Sequence, residues 1–289
     1  MKALISALQR LYESESQQVS GSKFTNAQRN ALDTFIQQTQ AVRCITSGRG
    51  LVYQVSQLEV IELNLRTLSP GYLDGILSSL PKRAANIANA RSSKAGQHSH
   101  STYYLLMRSS GDDIQWQYHH RLLDVSAQTK QYGVAALEVT SDDSWTSNQP
   151  LWLVENQALF DNLDWLPDTI NASIHWYRGQ LSNAFLDWLS ERERAPQVVI
   201  FPDYDGVGLS NYARLHQRLG DRCSLWFMPD WTEKLHKYGS NDIWTDTFKD
   251  FKVAVEYFSQ LPKQDDAIKA LFNALKAQGL ALEQEAVWL

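Results

Sequence analysis

Cysteine is scarce in this chain. Cys44 and Cys223 are the only two among 289 residues, and they lie too far apart to form a metal-binding or redox spacing. No apolar run approaches the roughly 18 residues that a membrane-spanning helix needs. The first residues, MKALISALQRLYESESQ, are amphipathic and soon acidic, and they lack the apolar core and small-residue cleavage site of a secretory signal. No glycine-rich loop ends in Gly-Lys-Ser/Thr, which excludes a P-loop ATP site. A cytoplasmic, membrane-free protein is the expectation. What is present is an ordinary globular balance, 43% hydrophobic and 20% charged, in a length that suits one large domain or two ordinary ones.

Charge is unevenly placed within the net −5. Residues 1–150 carry 14 Lys/Arg against 12 Asp/Glu, whereas residues 151–289 carry 13 against 20. Acidic residues are missing between Asp74 and Asp112, a window that holds Lys82, Arg83, Arg91, Lys94 and Arg108. Its centre, KRAANIANARSSKAGQHSHS, combines cations with short Ser, Asn and backbone donors, a composition suited to phosphates. A solvated basic loop is the competing reading.

The N-terminal part reads as α+β. Leu4, Leu8, Leu11 and Tyr12 fall at helical spacing, and Thr25 with Gln28 forms a capping box for a helix carrying Leu32, Phe35 and Ile36. VRCITSGRGLVYQV then reads as a hairpin around Gly-Arg-Gly. Helices followed by a hairpin with a basic tip could form a winged helix, with Arg49 in the wing. Further strand-like runs occupy 103–140, and TSDDSWTSNQP is the polar break taken as the domain boundary. The division expected is therefore 1–148, a DNA-binding region, and 149–289, a catalytic α/β domain.

In the second part strands and helices alternate. LWLVEN (151–156), SIHWYR (173–178), QVVIFPD (197–203) and CSLWFMPD (223–230) are apolar runs separated by helical patterns, which implies a parallel sheet with right-handed crossovers. Acids stand at the ends of these runs: Glu155, then Asp203 and Asp205, then Asp230. Sites in open α/β sheets lie outside the carboxyl ends of the strands. Carboxylates gathered there repel one another unless a hard cation such as Mg²⁺ lies between them.

Three families place Asp-x-Asp-Gly in such a context. An EF-hand loop needs glycine at its sixth position and follows a helix, whereas Gly206 is fourth and follows a strand. A haloacid-dehalogenase-like phosphatase opens its domain with this motif, but the 84 residues after Asp205 are too few for its remaining motifs, and Glu155 would have no part in it. The third is Toprim, in which Glu ends the first strand and Asp-x-Asp a later one.

The stretches LVENQALF (153–160), DYDGVGLSNYARL (203–215), LWFMPD (225–230) and LEQE (282–285) resemble the Toprim nuclease subunits of Wadjet and MksBEFG systems, JetD and MksG, and more distantly the topoisomerase VI A subunit. Pro202 departs from the glycine that relatives more often carry before the first Asp. The resemblance implies a Rossmann-like Toprim catalytic domain and Mg²⁺, or Mn²⁺ in its place. It implies cleavage of double-stranded DNA with Glu155, Asp203 and Asp205 as catalytic and metal residues. Asp230 and Glu285 are further metal candidates, and Arg49, Lys82, Arg83, Arg91 and Lys94 are DNA contacts. A condensin-like SMC complex would be its partner in plasmid restriction or antiviral defence, and a homodimer its assembly.

Hydrolysis by water is the favoured chemistry. Tyr103 and Tyr104, in HSTYYLLMR, offer a topoisomerase-like tyrosine transesterase instead, although packing accounts for such a pair more simply. A phosphatase and a non-catalytic DNA-binding or assembly module are the remaining alternatives. His98 with His100 and His119 with His120 lack zinc spacing.

Overall fold

A computed structural model describes residues 1–48, 50–75, 79–94, 96, 102–262 and 265–289. It divides into two compact units, Met1–Ser99 and His100–Leu289.

The first unit runs α1 (Lys2–Tyr12), β1 (Gln18–Ser20), α2 (Asn26–Thr39), β2 (Val42–Ser47), β3 (Gly50–Val55), α3 (Leu58–Leu68) and α4 (Lys82–Ala90). The capping box forms as the sequence implies: Gln28 N–H donates to the Thr25 hydroxyl, and Thr25 N–H donates to Gln28 Oε1. β2 and β3 pair antiparallel with Ser47 opposite Gly50, so the expected hairpin is present, and β1 adds to β3. Arg49 lies outside the described residues. The core joins Leu8, Leu11, Leu32, Phe35, Tyr53, Ile61 and Leu65.

The second unit is mixed α/β. Its strands are β4 (Thr102–Ser110), β5 (Gln115–Tyr118), β6 (Arg121–Asp124), β7 (Ala135–Thr140), β8 (Leu151–Val154), β9 (Ala172–Trp176), β10 (Val198–Phe201) and β11 (Cys223–Leu225). Its helices are α5 (Val125–Tyr132), α6 (Gln157–Asp161), α7 (Asn183–Glu191), α8 (Gly206–Leu219), α9 (Trp231–Tyr238), α10 (Asn241–Ser259) and α11 (Asp266–Gln278). Six strands form one sheet in the order β11-β10-β8-β9-β4-β7. β11, β10, β8 and β9 are mutually parallel, and β4 pairs antiparallel with β9 and with β7. β8 and β10 are buried at every residue, the continuous apolar run of a strand covered on both faces.

The boundary expected at 148/149 falls inside this unit, because β4 and β7 extend the sheet begun by β9. The polar break misleads because Asp143 is a buried acceptor within it. Its carboxylate receives Thr140 N–H, Trp188 Nε1–H and a guanidinium N–H of Arg194, a residue itself 2% exposed. Burying charge is tolerated only with such pairing. His119 and His120 also differ from expectation. They form the two-residue turn between β5 and β6, where Tyr118 faces Arg121, and so do not alternate along a strand.

Candidate functional site

The chain leaves β8 for β9 on one side and later returns to place β10 on the other. This reversal is a switch point at the carboxyl ends of β8 and β10, the place where open α/β sheets bind ligands. Val154 pairs with Phe201 across the two strands, so Glu155 and the Pro202–Asp205 turn emerge side by side.

Glu155 is 7% exposed. Its Oε2 accepts from the Tyr177 hydroxyl at 2.9 Å and from Asp203 N–H at 3.4 Å, while Oε1 accepts no hydrogen bond among the described residues. Burial, and then the neighbouring Asp203 charge, push its carboxyl up to about 8. Asp203 is pushed up to about 7 by burial and by Asp205 and Glu285, against the opposing hydrogen bond from Gln284 N–H at 2.8 Å. Asp205 is raised too, chiefly by burial, although it caps α8 by accepting Gly208 N–H at 2.7 Å.

Two further segments converge here. Asn156 Nδ2 donates to Asp203 Oδ1 at 3.1 Å and to Glu285 Oε2 at 3.0 Å, bridging two acids with one amide. The C-terminal segment is stitched alongside: Tyr204 and Leu282 exchange backbone hydrogen bonds at 2.7 and 3.1 Å. The wholly buried Gln284 accepts Asn156 N–H at 3.0 Å and donates to the Phe201 carbonyl. Glu283, on the same segment, adds to the negative field on Asp203 and Asp205.

The structure thus brings Glu155, Asp203, Asp205 and Glu285 together. Asp230 does not join them. It is exposed, in a left-handed conformation at the start of α9, and none of the cluster's hydrogen bonds reaches it. The buried Tyr177 and Gln284 and the half-buried Asn156 are site residues that sequence reasoning missed. Asn156, directly after Glu155, and Gln284, inside LEQE, lay within stretches that carry the resemblance, whereas Tyr177 had no signal.

The glycines of the motif serve packing. A Cβ on Gly206 would lie 1.8 Å from the Thr247 carbonyl of α10, and one on Gly208 would lie 2.2 Å from the Asp203 carbonyl. Helix α8 can approach α10 and its own preceding turn only without those atoms.

The basic window lies in the first unit. Its middle is helical, with Lys82 and Arg83 exposed on α4, so it is not the plain loop its composition implies. Arg91 closes α4 in a left-handed conformation, Arg83 donates to Ser93 Oγ at 3.2 Å, and Lys94 is exposed. His98 and His100 fall outside the described residues. Arg108, in the second unit, is committed elsewhere, donating to the Phe160 and Asp161 carbonyls at the end of α6.

Among the described residues, Tyr103 and Tyr104 form no hydrogen bond with the carboxylates. Tyr103 stacks on Phe185 with centroids 4.9 Å apart, and its hydroxyl meets His175 Nε2 at 3.0 Å. Burial pushes it up to about 12. Tyr104 is 64% exposed on the other side of β4.

Oxygen donors of this kind suit a hard divalent cation. Among the described residues, no three Asp, Glu, His or Cys side chains already close on one point. The amide of Asn156 instead bridges Asp203 and Glu285, as a cation would. Glu155 keeps one oxygen anchored by Tyr177 and the other unpaired, the arrangement by which an outer partner orients a ligand.

Among the described residues, no helix is long and apolar enough to cross a membrane. No curated protein matches the chain. One family model matches residues 104–288, nearly the whole of the second unit, and the chain belongs to that family, described as a domain of unknown function (DUF7281).

Proposed function

We propose that this protein is a cytoplasmic, Toprim-type endonuclease that hydrolyses DNA phosphodiesters with Mg²⁺ or Mn²⁺. One observation carries the reading: adjacent parallel strands at the reversal of strand order deliver Glu155, Asp203 and Asp205 to one edge, where burial raises all three carboxyls and the charge of neighbouring acids adds to the rise. Such an edge favours a cation that relieves the repulsion.

Asp203 and Asp205 would hold the cation, with Glu285 completing its surroundings. When bound, a divalent ion neutralises phosphate charge and lowers the pKa of a water. Glu155, raised by burial and by the Asp203 charge in the metal-free site, would ionise more readily beside a bound cation and is placed to take a proton from the attacking water or return one to the leaving oxygen. Tyr177 fixes the carboxyl through Oε2 and leaves Oε1 for that exchange. Gln284 and Asn156 set the position of Asp203.

The exposed cations Lys82, Arg83, Arg91 and Lys94 supply sequence-independent contacts to duplex phosphates. The N-terminal unit would act as a winged-helix-like DNA-binding module. A condensin-like SMC complex that selects plasmid or phage DNA is the partner this reading implies, with the chain, alone or as a homodimer, as its cutter.

The test is cleavage of duplex DNA by the full chain with Mg²⁺ or Mn²⁺ and with EDTA, alongside Asp203→Asn and Glu155→Gln. Cation-dependent cutting lost in both variants is expected. Equal cutting by both variants, or cutting in EDTA, overturns the proposal.

A further inference from the structure

An edge built from acids must still accept a polyanion. The strand next to β8 supplies a cation for this. β9 is parallel to β8 with Trp176 opposite Val154, so Tyr177 and Arg178 leave the sheet beside Glu155. Tyr177 turns inward to Glu155, while Arg178 is exposed.

Arg178 is held in an unusual backbone. Its φ is +62° and that of Gly179 is +80°, a left-handed pair that persists only where neighbours fix it. Buried Asn211 does so, donating to the Gly179 carbonyl at 2.7 Å and accepting Leu181 N–H at 3.3 Å. A Cβ on Gly179 would lie 4.0 Å from Glu155 Oε1, so this turn borders the unpaired oxygen of the proposed base.

The side chain is ordered as well. Its guanidinium lies 4.6 Å from the centre of the Trp176 ring, and the indole Nε1–H donates to the Glu155 carbonyl at 2.8 Å. Stacking on an aromatic face leaves the guanidinium N–H groups directed outward at the ring's edge. Among the described residues, Arg178 forms no ion pair and no side-chain hydrogen bond. Two other cations of the unit are spent on carbonyls: Arg108 at the end of α6, and Lys234 on Val287 at 3.1 Å. An arginine whose turn borders Glu155, whose guanidinium stacks on Trp176 with its charge felt by Tyr103 and His175, and which pairs with none of the acids is a held donor fork.

We infer that Arg178 receives a backbone phosphate of the nucleic acid at this edge, orienting the strand across Glu155 from the β9 side. The inference rests on the nuclease reading. Its chemistry is charge-assisted pairing of a planar fork with two phosphate oxygens, which a lysine matches in charge and not in geometry.

The experiment uses the full chain, a labelled random-sequence duplex in EDTA, and anisotropy titrations over a range of salt. Arg178→Gln is expected to weaken binding about tenfold and to lower the salt slope by about one phosphate contact. Arg178→Lys should keep the slope and recover only part of the affinity. Mn²⁺ calorimetry and thermal melting should match the wild type for both variants. Unchanged affinity and slope in Arg178→Gln overturn the inference, and if that variant still cuts with Mn²⁺, the nuclease reading stands without it. Conversely, a wild type that binds no Mn²⁺ and cuts nothing, yet loses one contact in Arg178→Gln, removes the nuclease reading and keeps the phosphate contact.

Discussion

Tyr177 donates its hydroxyl hydrogen to Glu155 Oε2 across 2.9 Å, and both side chains are buried. This hydrogen bond favours the ionised carboxylate and opposes the burial and the Asp203 charge that push Glu155 up. The tyrosine also fixes which oxygen is engaged and leaves Oε1 toward the Gly179 turn. It is a positioning residue, separated from the acid it serves by a whole crossover.

Tyr177→Phe should therefore raise the Glu155 pKa further and weaken Mn²⁺ binding near neutral pH, because a protonated Glu155 adds no negative charge beside the ion. Calorimetry at several pH values reads both effects: the pH at which half-maximal affinity appears should move upward. An unchanged pH profile would reduce Tyr177 to packing.

Metal-free stability should fall as pH rises. Glu155 and Asp203 are raised to about 8 and about 7, so between the ordinary carboxylate range and those values the folded state holds protons that the unfolded chain has released. Their contribution is full below about pH 4 and is lost as pH passes through 7 and 8. The melting temperature without metal should drop from pH 5 to pH 8, Asp203→Asn should flatten the drop, and Mg²⁺ should reverse it at pH 8. A melting temperature that climbs over this span would contradict the electrostatic picture.

Asp205 has two duties that substitution can separate. It carries charge to the cluster, and it caps α8 through Gly208 N–H. Asp205→Ala removes both and should cost about 1 kcal/mol for the cap, offset in part by relief of repulsion. Asp205→Ser keeps a capping oxygen and removes the charge, so it should melt close to the wild type while losing Mn²⁺ binding. Retained Mn²⁺ affinity in the serine variant would take Asp205 out of the site.

Much of the site was legible because its signals are local. β8 and β10 read as apolar runs, and Asp203 and Asp205 follow one directly. That β8 and β10 are neighbours, with β9 on the far side, is a pairing fact that no stretch of sequence carries. Gln284 escaped for the same reason: it reaches Asp203 from 81 positions downstream. The domain boundary was misplaced by a different confusion. A Ser- and Asp-rich segment looks solvated whether its aspartate faces water or, like Asp143, gathers buried donors from Trp188 and Arg194. Asp230 shows the reverse error, since an acid after an apolar run can simply begin the next helix.

The basic window should be separable from the carboxylates. Arg91 adopts φ +53°, which asparagine tolerates, so Arg91→Asn with Lys94→Gln removes two charges without imposing backbone strain. Duplex affinity should fall for every sequence, and the salt slope should decrease by about two contacts, with Mn²⁺ binding unchanged. A slope equal to the wild type would leave the window as a solvated surface.

Water, and not tyrosine, should be the nucleophile. A transesterase needs a hydroxyl that can reach the phosphate and lose its proton. Tyr103 is packed against Phe185, hydrogen-bonded to His175 and pushed up to about 12 by burial, all of which hinder attack. The imidazole offers it no base of useful strength: burial lowers His175 to about 4, and its Nδ1 is engaged with the Leu106 carbonyl at 2.9 Å. Tyr104 is exposed, but in-strand alternation places it on the face of β4 opposite to Tyr103. Tyr103→Phe should cost about 1 kcal/mol from its lost hydrogen bond, and Tyr104→Phe almost nothing, with cutting by both variants near the wild-type rate. After a cleavage reaction is denatured in detergent, all labelled DNA should migrate free of protein without protease. Label that stays with the chain until protease is added, and that disappears in either phenylalanine variant together with cutting, would replace hydrolysis with a covalent tyrosine mechanism.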